Sequence, residues 1–136
     1  MDTGPLVAYL DANDRSHADV SECLDSFTGR LATTSAVITE AMHFVATSRN
    51  GPRLLAEFVS VSAMEVYDLS RLPELLEVVS LMERFADAPM DFADATLVLL
   101  AEGLNVHDIL TLDRRGFSIY RTRGRRPLRL VLDATT

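Results

Sequence analysis

Apolar positions along the chain fall into two alternating patterns, runs at helical spacing and short runs that are apolar throughout. "GPLVAYLDAND" starts as a turn and continues as a short helix, and "SHADVSECLDSFTG" predicts a second helix stopped by Gly29. "RLATTS" reads as a strand. "AVITEAMHFVATSRNG" is helical up to Gly51, "PRLLAEFVSVS" opens a further helix at Pro52, and "MEVYDL" is a strand. "RLPELLEVVSLMERFADA" predicts a helix, Pro89 breaks the chain, and "DFADATLVLLAEGLN" predicts another helix ending near Gly103. "DILTLD" is an apolar strand ending in an acid, and "LRLVLD" is the last strand expected. Strands separated by helices predict an α/β fold, a three-layer α/β/α sandwich with a central parallel sheet. At 136 residues the chain is expected to form a single domain, 1–136.

Acidic residues that break an apolar pattern stand out from the twenty in the chain. Asp113 ends the run "ILTL", and in an open parallel sheet ligands bind beyond the carboxyl ends of strands. Asp2 would hold the same place on a first strand. Glu40 has Ala36, Val37 and Phe44 within one turn, and Asp94 lies between Met90 and the pair Leu97 and Val98. Asp91 sits one turn from Asp94, where a helix N-cap is the competing explanation. A carboxylate on a buried stripe is costly unless it is paired, hydrogen-bonded or metal-bound. Several of them without a counter-lysine make a hard-oxygen pocket of the kind Mg²⁺ or Mn²⁺ prefers.

Charge sharpens this picture. The net charge of −7 is unevenly spread: residues 114–129 hold seven arginines and no acid, while the rest of the chain carries −14. All thirteen basic residues are arginine. Arg114 and Arg115 follow Asp113 directly and are candidates for gripping phosphates, and "RTRGRRPLR" either extends that grip or is a solvated tail. Phe117 and Tyr120 are candidates for stacking on bases, with core packing favoured for Phe117. Thr111, two residues before Asp113, either hydrogen-bonds within the pocket or is a structural strand threonine. The one cysteine, Cys23, leaves no internal disulfide, and no apolar stretch is long enough for a membrane span, so the cytoplasm is the expected location.

"DTGPLVAYLD", "TTSAVITEAMHF", "MDFADATLVLLAE" and "ILTLDRRGFSIYR" occur in the order and spacing of the PIN-domain family. Over nearly its whole length the chain resembles a VapC-type toxin ribonuclease. The resemblance implies a parallel sheet between helices, metal-dependent cleavage of RNA, a homodimer and a small cognate antitoxin as partner. It also implies that Asp2, Glu40, Asp94 and Asp113 are the catalytic and metal-binding acids, with Asp91 a weaker candidate in the "DFADA" form of the motif. Asp2 and Asp94 are expected to be the principal ligands of Mg²⁺ or Mn²⁺, with Glu40 and Asp113 holding a second ion or orienting the attacking water. Carboxylate-held metal supplies a nucleophile and neutralises charge at phosphorus without a histidine base. In the family pattern several apolar residues precede the first aspartate, whereas here only Met1 does. Two explanations are open, a start placed a few codons late, which is preferred and would leave Asp2 beside a free α-amino group at the end of a strand cut short, or a very short first strand held in place by its neighbours.

Other readings fare less well. A single "DTG" in a mostly helical chain does not make the paired acids of an all-β aspartic protease. Receiver domains and haloacid-dehalogenase-like phosphatases use a lysine that this chain lacks, and the P-loop motif is missing. His17, His43 and His107 show no zinc-site spacing. The remaining alternative is a PIN-like domain without catalysis that acts as an RNA-binding or regulatory module.

Overall fold

Four of the helices are opened by a side-chain cap that the local sequence supplies, from Asp2, Thr34, Asp91 and Asp113. The computed structural model describes residues 1–134. Asp2 accepts from the Thr3 N–H and caps α1 (Thr3–Leu10), which is followed by α2 (His17–Asp25). Strand β1 (Ala32–Thr34) ends where Thr34 turns into the N-cap of α3 (Ser35–Val45), its hydroxyl accepting from the Val37 N–H. Asn50 at φ 60° turns the chain into α4 (Gly51–Val61), and β2 (Glu65–Tyr67) follows. Helix α5 (Glu74–Arg84) starts three residues later than its apolar pattern suggests, after Pro73.

Helix α6 (Phe92–Leu104) is the interior element. Eight of its residues, from Ala93 and Ala95 to Ala101, are buried, as expected for a helix that is apolar nearly all round. Its start is a reciprocal capping box, Asp91 accepting from the Asp94 N–H and Asp94 from the Asp91 N–H. The helix ends one residue beyond Gly103, near where the pattern places its end. Asn105, at φ 53°, takes the left-handed closing position. The chain continues through β3 (Asp108–Ile109), α7 (Arg114–Ile119), β4 (Arg129–Leu130) and α8 (Val131–Ala134). The last expected strand is therefore cut to two residues, because "VLD" winds into α8.

The strands are parallel, as the alternation of elements predicts, but among the described residues they form two pairs rather than one sheet. Ala32–Thr34 runs in register with Glu65–Tyr67, and Asp108–Ile109 with Arg129–Leu130. The first two residues lie between the pairs: the Met1 amine donates to Ala32 O at 2.8 Å and the Asp2 N–H donates to Leu110 O at 2.9 Å. So the segment expected as a first strand is a two-residue link that touches both pairs and turns at once into α1. Buried residues of α1, α3, α6 and the strands make one cluster around it, including Leu6, Val37, Ala41, Val98 and Ile109.

Candidate functional site

Three of the expected acids are placed by backbone features that meet at this link. Asp2 stands at the N-cap of α1, Glu40 on the second turn of α3 and Asp94 on the first turn of α6. A buried hydroxyl pair keeps α3 and α6 together. Thr96 donates to Ala93 O at 2.6 Å, so the 2.8 Å contact between Thr34 and Thr96 is donated by Thr34. Both threonines are buried, and their bond ties the helix that carries Glu40 to the helix that carries Asp94.

Asp2 is 7% exposed, an unusual burial for a carboxylate. Its Oδ1 accepts from the Thr3 N–H at 2.8 Å and its Oδ2 from the Thr111 hydroxyl at 2.7 Å. Thr111 in turn accepts from the Asp113 N–H at 3.0 Å, so the choice left open for this threonine falls to a hydrogen bond within the pocket. Asp113 caps α7 by accepting from the Gly116 N–H at 2.9 Å. Its side chain is exposed, and it lies at the rim of the group rather than inside it.

Burial pushes the Asp2 carboxyl above the usual range, and Glu40 adds to the rise by repulsion, while the bonds from Thr111 and Thr3 oppose it. Asp94 is pushed up to about 7, first by burial, then by the negative charges of Asp91 and Asp2. The Asp91 N–H and the Tyr120 hydroxyl both donate to its Oδ2, at 3.3 Å and 3.2 Å. Its Oδ1 receives no hydrogen bond among the described residues. Glu40 is likewise without a hydrogen-bond partner for its carboxylate among the described residues. Asp91 is exposed and serves as the N-cap of α6, the competing explanation for its position.

Several carboxylates thus feel one another with no arginine paired to them, an arrangement that favours protonation or a bound cation. Among the described residues, no three His, Cys, Asp or Glu side chains stand close enough to form a ready-made metal cage. Mg²⁺ does not require one, since it is bound through one or two carboxylates and keeps several waters. The donor set, all hard oxygens, fits such an ion. One further oxygen, the buried Thr3 hydroxyl, has no hydrogen-bond partner among the described residues.

The arginine-rich segment is built quite differently. Arg123 pairs with both Glu77 and Glu102, and Arg129 with Asp108 at 2.7 Å. Arg126 donates to Asn105, and Arg121 to backbone carbonyls of residues 118–120. The segment is therefore held against the body of the protein rather than forming a free tail, while Arg125 is exposed without an ion pair among the described residues. Of the two arginines that follow Asp113, Arg114 pairs with Asp133 at 2.8 Å, whereas Arg115 is exposed without an ion pair among the described residues. Phe117 and Tyr120 are 0% and 1% exposed, which removes both as base-stacking platforms.

Sequence reasoning missed Gly116 and gave Tyr120 a different role. Gly116 has no room for a side chain: a Cβ there would collide with Asp113 Oδ2 and come within 3.0 Å of the Tyr120 hydroxyl. The bond from Tyr120 to Asp94 spans 26 residues, and no local pattern signals it.

No protein-family model matches the chain. The chain is similar to Ribonuclease VapC26 of Mycobacterium tuberculosis, with 35% identity over 126 residues that cover 91% of this chain and 93% of that protein.

Proposed function

The chain belongs to the VapC-type PIN-domain ribonucleases, and from that premise we propose that it is a divalent-metal-dependent endoribonuclease acting as the toxin of a toxin–antitoxin pair. The observation that carries the reading is the meeting of Asp2 and Asp94, half-buried or deeper, mutually repelling and unpaired with any arginine. In this reading Asp2 and Asp94 hold Mg²⁺ or Mn²⁺, with Glu40 and Asp113 completing the acid set and Asp91 kept mainly as a helix cap. The ion supplies Lewis acidity that activates water and neutralises charge at the phosphodiester.

The chain's own residues do the rest. Thr111 and the Thr3 N–H occupy one lone pair on each Asp2 oxygen, which fixes the carboxylate plane and favours its charged form. Asp113 is linked to Asp2 through Thr111 and borders the approach from solvent, where it can orient a water. Arg115 supplies the positive charge that holds a phosphate near the acids, and Arg114 contributes less because Asp133 engages it.

The partners follow the same reading. RNA is the substrate and a cognate antitoxin the regulator. A homodimer is supported by apolar side chains left in solvent at the start of α5, Leu76 at 64% and Val79 at 38% exposure on the helix and Leu72 at 68% in the turn before it. The two strand pairs, with residues 1–2 between them, are the middle layer of a three-layer sandwich formed by a single domain, 1–136. Among the described residues no helix is long and apolar enough to cross a membrane, and a cytoplasmic location is proposed with the single free Cys23.

The test is cleavage of RNA by purified protein with Mg²⁺ or Mn²⁺, with chelator, and with Asp94→Asn. Metal-dependent cleavage lost in the folded variant is expected. Equal cleavage by both proteins contradicts the reading, and RNA binding without cleavage by the wild type leaves only a binding module. Light scattering at micromolar concentration checks the dimer, which a monomer would rule out.

A further inference from the structure

The set of acids is held in place by a residue that is not one of them. Tyr120 closes α7 with its side chain buried and its ring packed edge-on against Phe117 and Phe85, with centroids 5.1 Å and 5.6 Å away and planes at 75° and 66°. Edge-to-face packing on two sides fixes where the phenol oxygen points. That oxygen lies 3.2 Å from Asp94 Oδ2, with the Pro89 carbonyl at 3.5 Å as a weaker second acceptor. The Asp91 N–H donates to the same Oδ2 at 3.3 Å. Both donors therefore engage one carboxylate oxygen, and Asp94 Oδ1 is left without a hydrogen bond among the described residues.

Gly116 makes the arrangement possible on its other side. A Cβ at this position would come within 3.0 Å of the phenol oxygen and collide with Asp113 Oδ2, so the absence of a side chain lets the tyrosine sit between two of the acids.

We propose that Tyr120 is a positioning residue for Asp94: its hydroxyl, held by the two rings, engages Oδ2 and leaves Oδ1 for the divalent cation. The inference rests on the reading of Asp94 as a metal ligand. Groups that orient a ligating carboxylate typically change metal affinity or activity about 10–100-fold when they are removed. Tyr120→Phe keeps the ring and deletes only the donor.

The experiment is calorimetric titration of Mn²⁺ into the wild type, Tyr120→Phe, Asp94→Asn and Val78→Ala, together with RNA-cleavage kinetics and thermal melts without metal. Val78 is buried on α5, which packs on α6, and it touches none of the acids' hydrogen bonds. Tyr120→Phe is expected to weaken Mn²⁺ binding about tenfold, to recover kcat at saturating Mn²⁺ and to keep the KM for RNA. Val78→Ala is expected to lower the melting temperature and leave Mn²⁺ affinity unchanged. Wild-type Mn²⁺ affinity in Tyr120→Phe, or an equal loss in Val78→Ala, overturns the role of the hydroxyl. Asp94→Asn tells the two failures apart: if it binds Mn²⁺ normally, Asp94 is not a ligand, and if it alone loses binding, only the tyrosine inference fails.

Discussion

The acid group around Asp2 and the arginine-rich segment 114–129 are both dense in one sign of charge, yet they are built on opposite terms. In the first, burial and mutual repulsion raise Asp2 and Asp94, and no arginine is brought to them. In the second, Arg123 and Arg129 each meet an acid carried by another element, and Arg114 meets Asp133. In the proposed reading, compensated charge marks scaffold and uncompensated charge marks the site. Density of charge in the sequence did not distinguish them, since "RTRGRRPLR" is the more conspicuous of the two.

Removing a charge from each region tests this contrast most severely. Asp2→Asn keeps the size of the side chain and one acceptor oxygen while removing the charge, and it is expected to cut RNA cleavage by about 10²–10³-fold or more, measured at saturating RNA. Circular dichroism should show the fold unchanged, and near-normal turnover would place the chemistry elsewhere.

A second outcome concerns pH. The folded-state pKa of Asp94, about 7, lies above the ordinary carboxylate range near 4. Folding therefore favours the protonated form, and the stability this contributes is full below the unfolded value and lost as pH rises through about 7. Asp2 is shifted in the same direction. In chelator, thermal melts should fall between pH 5 and pH 8, and Asp94→Asn should flatten the trend. Added Mg²⁺ should restore more stability at pH 8 than at pH 5, because the ion competes with protons for the same oxygens.

On the compensated side, Arg123→Ala breaks contacts to two acids on α5 and α6 and is expected to cost about 1 kcal/mol in denaturant titration. RNA affinity should not move. Smallest is Arg115→Ala, expected to weaken RNA binding only a few-fold and to lower the slope of log affinity against log salt by about one. If Arg123→Ala weakened RNA binding as much as Arg115→Ala, the division into scaffold and site would be wrong.

Much of the fold was legible where its cause is local. The start of α6 could be read from Asp91 and Asp94 three residues apart, and the capping box there bears out the N-cap explanation for Asp91. The end of α6 was legible to within one residue of Gly103, although the left-handed closing position falls to Asn105. Alternating helices and strands gave the parallel pairing, but not its division into β1–β2 and β3–β4, which depends on how two N-terminal residues fit between the pairs. Asp2, Glu40 and Asp94 could be singled out as acids interrupting apolar runs. Their surroundings could not: the contacts of Tyr120 with Asp94, Thr34 with Thr96 and Arg129 with Asp108 link positions 26, 62 and 21 residues apart. Such pairings arise from packing, and no local periodicity encodes them.

The central claim is that the acids gathered around Asp2 and Asp94 cut RNA. Sequencing the 5′ ends of cellular RNA after induced expression of the wild type and of Asp94→Asn, at matched protein levels, tests it most directly. New ends clustered at defined sites in the wild type and absent from the variant are predicted, whereas identical end profiles from the two proteins would contradict the account.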